Sequence, residues 1–150
     1  FHIHSAHNYY PQRTVQDERY KLILNLMPGM VNSGYQFTNN RFFDELIKTI
    51  NQAPEPNRSA YHAMERPPRF ELYDLKNDPY EFNNLASNPQ HAGLLSVLQN
   101  KLQQWREDTN DPMLNFNNVL RLKAEVDACF VEGTPDKTKL TLTYPDYFFE

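Results

Sequence analysis

At 150 residues, 39% of them apolar and 13% aromatic, the chain has the material for one domain of ordinary size with a real core. A net charge of −4 argues against a nucleic-acid binder that relies on phosphate neutralisation, so no nucleic-acid partner is expected. The one cysteine, Cys129, permits neither an internal disulfide nor a cysteine-rich zinc site, and there is no run of 18 apolar residues to span a membrane.

Residues 1 to 7 alternate Phe1 and Ile3 with His2 and His4 and read as a strand. The chain opens in mid-strand, without a charged-then-apolar leader, so a larger N-terminal portion is expected to precede it. Asn8-Tyr9-Tyr10-Pro11 is a turn or strand entry. Two strands follow, one through Arg13 and Val15 and one from Arg19, joined near Asp17-Glu18. Tyr20, Leu22, Leu24 and Leu26 give the second a clean apolar face, which Pro28-Gly29 ends.

Residues 30 to 69 read as an excursion. Asn39 or Asn40 caps a short helix carrying Phe43, Leu46, Ile47 and Ile50, and Ala53-Pro54-Glu55-Pro56-Asn57 ends it. Arg66-Pro67-Pro68-Arg69 is a rigid lead into the central strand. That strand alternates Phe70, Leu72 and Asp74 against Glu71, Tyr73 and Leu75, and Asn77-Asp78-Pro79 turns the chain after it. Ser87 or Asn88, with Pro89 behind it, starts a long helix whose stripe is Leu94, Leu95, Leu98, Leu102 and Trp105. Asn110-Asp111-Pro112 stops it.

Residues 113 to 129 hold a weaker helical pattern through Leu120, Ala124 and Val126. Gly133-Thr134-Pro135-Asp136 is a turn, and Leu140 to Tyr144 alternates like a last strand. The architecture is α+β: an antiparallel sheet of about four strands with the 88–108 helix across one face. One domain, 1–150, is expected, with 113–150 as an extension of unknown role.

His2 and His4 share a face of their strand, but a zinc site needs three or four convergent ligands, so no metal is expected there. Arg13 can grip an anion or, the preferred reading, an ion pair with Asp17, Glu18 or another sheet carboxylate. Asp74, Asn77, Asp78 and Glu81 lack the order and glycine of a calcium loop and read as turn and cap residues. Tyr73, Asp74, Asp78 and Trp105 are structural in this reading, Trp105 belonging to the core with the leucine stripe. Cys129 is expected buried and inert.

Three motifs in register carry a family likeness. Tyr9-Tyr10-Pro11-Gln12-Arg13-Thr14-Val15-Gln16 with Arg19 to Asn25, then Glu71-Leu72-Tyr73-Asp74-Leu75 with Asp78-Pro79-Tyr80-Glu81 and Asn84-Leu85-Ala86, then Leu102, Trp105, Thr109 and Asp111-Pro112, resemble the C-terminal region of sulfatases. Order and spacing fit the heparan N-sulfatase branch best, over roughly residues 7 to 112. The resemblance implies a subdomain of the alkaline-phosphatase-like fold that packs on a catalytic domain of its own protein. Sulfatases of this type use a formylglycine, made from the cysteine of a Cys-x-Pro-x-Arg or Cys-x-Ala-x-Arg motif, and a calcium ion. Here Phe130-Val131-Glu132-Gly133 follows Cys129 and there is no Asp-Asp pair, so no catalytic residue and no cofactor is expected in this chain, which should be inactive alone.

The resemblance also implies a substrate-pocket rim for a sulfated saccharide, with His2, His4, His7, Tyr9, Tyr10 and Arg13 as its candidates. Arginine and imidazolium donors with an aromatic ring suit an anionic sugar. It implies an exported protein, periplasmic in a bacterium or lysosomal in an animal. An exposed apolar face, and a dimer through it, would mark where the catalytic domain packs. The alternative is a non-enzymatic binding or scaffolding module, whose sheet face would already be polar.

Overall fold

A computed structural model describes residues 9–32, 43–131, 134–139, 143 and 146. Its centre is a three-stranded antiparallel sheet in the order β1-β2-β3, with β1 at Gln12–Gln16, β2 at Tyr20–Asn25 and β3 at Phe70–Asp74. Asp17 makes the β1–β2 turn: its Oδ1 accepts from the backbone N–H groups of Arg19 and Tyr20. In register, Leu22 faces Leu72 and Leu24 faces Phe70, so the period-2 pattern of β2 and β3 puts one apolar side on one face of the sheet. The free edge of β3 is closed by local chain. Asn84 accepts from the Leu72 N–H and donates to the Phe70 carbonyl, and the Leu85 N–H donates to the Leu72 carbonyl. A short polar side chain thus covers an edge that would otherwise invite pairing.

The main sheet therefore has three strands among the described residues, not about four. The expected strands at residues 1–7 and 140–144 lie outside the described residues, apart from Thr143. A separate two-residue ladder pairs β4, Phe130–Val131, with β5, Thr134–Pro135, so Thr134 and Pro135 are extended and not turn residues.

Helices cover the sheet. α1, Phe43–Gln52, is the expected excursion helix, its cap candidates Asn39 and Asn40 lying outside the described residues, and α2, Asn57–Ala63, is a second one that the sequence reading does not include. Asn88 accepts from the Gln90 N–H, Pro89 opens a single 3₁₀ turn, and α3 runs through Ala92–Asp108. α3 ends as the Asn110-Asp111-Pro112 punctuation predicts. Asn110 adopts φ of 50°, and the N–H groups of Asn110 and Asp111 bond the carbonyls of Glu107 and Arg106, a complete Schellman closure.

Leu98 and Leu102 of α3 pack on Leu22, Leu24 and Leu72, with Leu94, Leu95, Phe70 and Val15 around them. Trp105 does not continue the stripe: it is half exposed, while Arg106 is buried. One turn beyond Leu102, the inward position goes to Arg106, which is drawn in by Asp111, and Trp105 rotates off the packed face.

α4, Phe116–Asp127, builds a second cluster. Val119, Leu122 and Val126 pack with Met113 and Tyr9, and Leu26 touches both clusters. The expected face through Leu120 is displaced by one position: Leu120 is exposed and Val119 and Leu122 are fully buried. Met113, Val119, Leu122 and Val126 thus pack against Tyr9, ahead of β1, and against Leu26, Met27 and Met30, beyond β2.

Candidate functional site

The two faces of the sheet differ in chemistry. On the α3 side, Arg13 reaches past the apolar cluster to the C-terminal end of that helix. Its Nε and Nη2 donate to the two carboxylate oxygens of Asp111 at 2.9 and 2.5 Å, and Arg106 Nε donates to the same carboxylate at 2.8 Å. Burial alone would raise the Asp111 carboxyl, but the two guanidinium groups outweigh it and hold it below its ordinary value. The preferred reading of Arg13 as an ion-paired residue is what the geometry shows, with Asp111 as its partner in place of Asp17 or Glu18.

The opposite face is polar. Gln12 Nε2 donates to Asn25 Oδ1 at 2.7 Å. Asn25 Nδ2 donates to Glu71 Oε1 at 2.7 Å, and the Tyr73 hydroxyl donates to Glu71 Oε2, also at 2.7 Å. Burial, then that bond to Glu71, pushes the Tyr73 hydroxyl pKa well up. Lys21 pairs with Glu81 beside this network at 2.8 Å. Tyr10 lies close enough for Glu71's charge to be felt. Its hydroxyl is buried without a hydrogen-bond partner among the described residues, and burial, then Glu71, pushes it up to about 12. Tyr9 turns the other way, into the second cluster, where its hydroxyl donates to the Val119 carbonyl at 2.8 Å.

Of the six rim candidates, then, Tyr9 is built into the core and Arg13 into an ion pair. Tyr10 stands at the polar face, its buried hydroxyl without a hydrogen-bond partner among the described residues. His2, His4 and His7 lie outside the described residues. The Gln12–Asn25–Glu71–Tyr73 network is not visible as a unit in the sequence. The available signal was Asn25, a polar residue closing an otherwise apolar strand.

The turn residues do the work expected of them. Asp74 accepts from Arg19 Nε and Nη2 at 3.0 and 2.7 Å and from the Asn77 amide, and Asp78 accepts from the N–H groups of Phe82 and Asn83. Arg19's bonds, against the opposing effect of burial and with help from Asn77, hold the Asp74 carboxyl at about 2, below its ordinary 3.8. A depressed folded-state pKa means stability that is present above about pH 4 and is lost as pH falls toward 2. Wild type should therefore exceed Asp74→Asn in urea midpoint at neutral pH, and the gap should close between pH 4 and 2. A gap constant across that range would show that Asp74 does not titrate in this pair.

Cys129 is fully buried, its thiol donates to the Glu125 carbonyl, and burial raises its pKa, the reverse of a reactive cysteine. Among the described residues no three His, Cys, Asp or Glu side chains converge as a metal site. Nor, among them, is any helix long and apolar enough to cross a membrane.

An antiparallel sheet with a long helix across one face, α+β in class, agrees with a likeness to the alkaline phosphatase superfamily. A multifunctional member of it from Trinickia caryophylli is 40% identical over 52 residues, 35% of this chain and 10% of that protein. More particularly, the chain is related to the sulfatases. It is 34% identical over 110 residues to human N-sulphoglucosamine sulphohydrolase, 69% of this chain and 21% of the relative. It is 28% identical over 152 aligned positions to an ulvan-active sulfatase of Formosa agariphila, 92% of this chain and 27% of the relative. The chain thus spans about a fifth to a quarter of the length of these curated relatives. No protein-family model matches it.

Proposed function

We propose that the chain is the C-terminal subdomain of a sulfatase acting on sulfated sugars such as glycosaminoglycan units, packed on that protein's catalytic domain and contributing to the rim of its substrate pocket. The observation that carries this is the relation to N-sulphoglucosamine sulphohydrolase, which covers 69% of the chain but 21% of the relative. Calcium and formylglycine chemistry would be supplied by the catalytic domain, and this chain would supply positioning. The protein would be exported, to a periplasm or a lysosome. Trp105, Phe116 and Leu120, each about half exposed, are apolar surface for the catalytic domain to cover, and a dimer would form through them in its absence.

The rim falls to His2, His4, His7 and Tyr10, since Tyr9 and Arg13 have other partners. The test is sulfate release from sulfated glucosamines by the chain joined to its catalytic portion. His4→Ala with His7→Ala should raise KM about tenfold, the scale of one lost charge-assisted hydrogen bond, with a smaller change in kcat. An unaltered KM would remove the rim role, and sulfate release by the 150-residue chain alone would overturn the division of labour.

A further inference from the structure

A groove of about 310 Å³ opens on the polar side of β3, between that strand and the α1–α2 pair. Ile50, Ala60 and Met64 form its helical wall. Tyr80 and Phe82 form the other, their rings stacked with centroids 5.6 Å apart and 24° between planes, and Tyr80 is 76% exposed. Among the described residues, two carboxylates, Glu71 and Glu81, line the groove, and no Lys or Arg does. Lys21 neutralises Glu81, whereas both oxygens of Glu71 are held by neutral donors, Asn25 and Tyr73. Glu71 is therefore a fixed anion among neutral donors, at the edge of an aromatic-walled groove.

That combination selects a ligand with an apolar face and one positive charge. An exposed aromatic ring offers a flat surface to the C–H face of a sugar, and aromatic faces beside a carboxylate favour ammonium groups. The same charge disfavours a sulfate in that place. We propose that this groove is a saccharide subsite that takes a hexosamine unit with a free 2-ammonium group, the ammonium on Glu71 and the ring against Tyr80. The choice of a sugar over another organic cation rests on the sulfated-sugar reading above. The groove would hold an unsulfated amino sugar, separate from whatever sulfated unit reacts.

The test is an NMR titration of the full chain, near neutral pH, with glucosamine, N-acetylglucosamine and glucosamine N-sulfate. Glucosamine should move the amide resonances of residues 80–84 along a saturating curve. The N-acetylated and N-sulfated sugars should bind at least ~5-fold more weakly, the scale of one lost ammonium–aromatic and ammonium–carboxylate contact. Glu71→Gln should remove the preference for glucosamine. Tyr80→Ala, at a position that is 76% exposed, should weaken all three sugars. Absence of any shift at residues 80–84, equal binding of the N-sulfated sugar, or equal binding of propylammonium would each overturn the proposal. Sulfate release by the longer protein is measured separately, so its failure would leave this titration unchanged.

Discussion

Replacing Asp111 with Ala should lower stability by about 3–5 kcal/mol, the cost of leaving buried charge without its partner. The Asp111 carboxylate binds Arg13 from β1 and Arg106 from α3, and its Oδ1 also accepts from the Met113 N–H at 3.1 Å. Arg106 Nη2 in turn donates to the Met113 carbonyl at 2.8 Å. One residue thus fastens a strand, the end of the long helix, and the turn that leads into α4. The side chains of Arg13 and Arg106 are only 11% and 7% exposed, so water cannot take the place of the carboxylate. In urea unfolding, with a slope of ~1–3 kcal/mol/M, the midpoint should fall by roughly 2 M. Asp111→Asn keeps an acceptor but no charge and should fall between wild type and Asp111→Ala. The triple replacement Arg13→Met, Arg106→Met and Asp111→Leu should recover most of the loss, because it removes the buried charges together. A loss under about 1 kcal/mol for Asp111→Ala would show the triad to be solvated in solution.

The parts of this fold that were legible in the sequence are those where one residue's local chemistry decides the outcome. Asp17 turning β1 into β2, Asn88 capping ahead of Pro89, and Asn110 closing α3 all follow from short-range bonding. The alternation of Leu22 and Leu24, and of Phe70 and Leu72, likewise showed which side of the sheet would be covered. What escaped is decided by partners far away in sequence. Trp105 and Arg106 compete for one inward position, and Arg106 wins through a carboxylate that Arg13, 98 residues from Asp111, also binds. Periodicity favours tryptophan there, because it cannot register a charge that is neutralised. The second helix of the excursion, Asn57–Ala63, escaped because Arg58, Ser59 and His62 give it no apolar stripe. Of the candidate site, the individual residues Tyr10, Arg13 and Asp74 were visible. Their allocation was not: alternation puts Glu71 and Tyr73 on one face, but only the register Gln12–Asn25 and Lys21–Tyr73 brings Asn25 and Gln12 to that face with them.

The same limit gives the second large effect, a contrast between two leucines two positions apart on α4. Leu122→Ala should cost about 2–5 kcal/mol, because Leu122 is fully buried among Tyr9, Met113, Val119 and Val126 and the cavity it leaves cannot collapse freely. Leu120→Ala should change stability by no more than about 0.5 kcal/mol, because Leu120 is 45% exposed and outside both clusters. The contrast decides more than the helix face. Tyr9 reaches α4 from the residues before β1, and its hydroxyl bonds the Val119 carbonyl. A single cooperative transition in the Leu122→Ala protein, shifted in midpoint with an unchanged slope, would show that α4 and the sheet unfold as one body through Tyr9 and Leu26. Two separated transitions would show that α4 melts alone and that residues 113–127 are a detachable addition. A loss for Leu120→Ala equal to that for Leu122→Ala would place the Leu120 face inward and reverse the assignment of the helix.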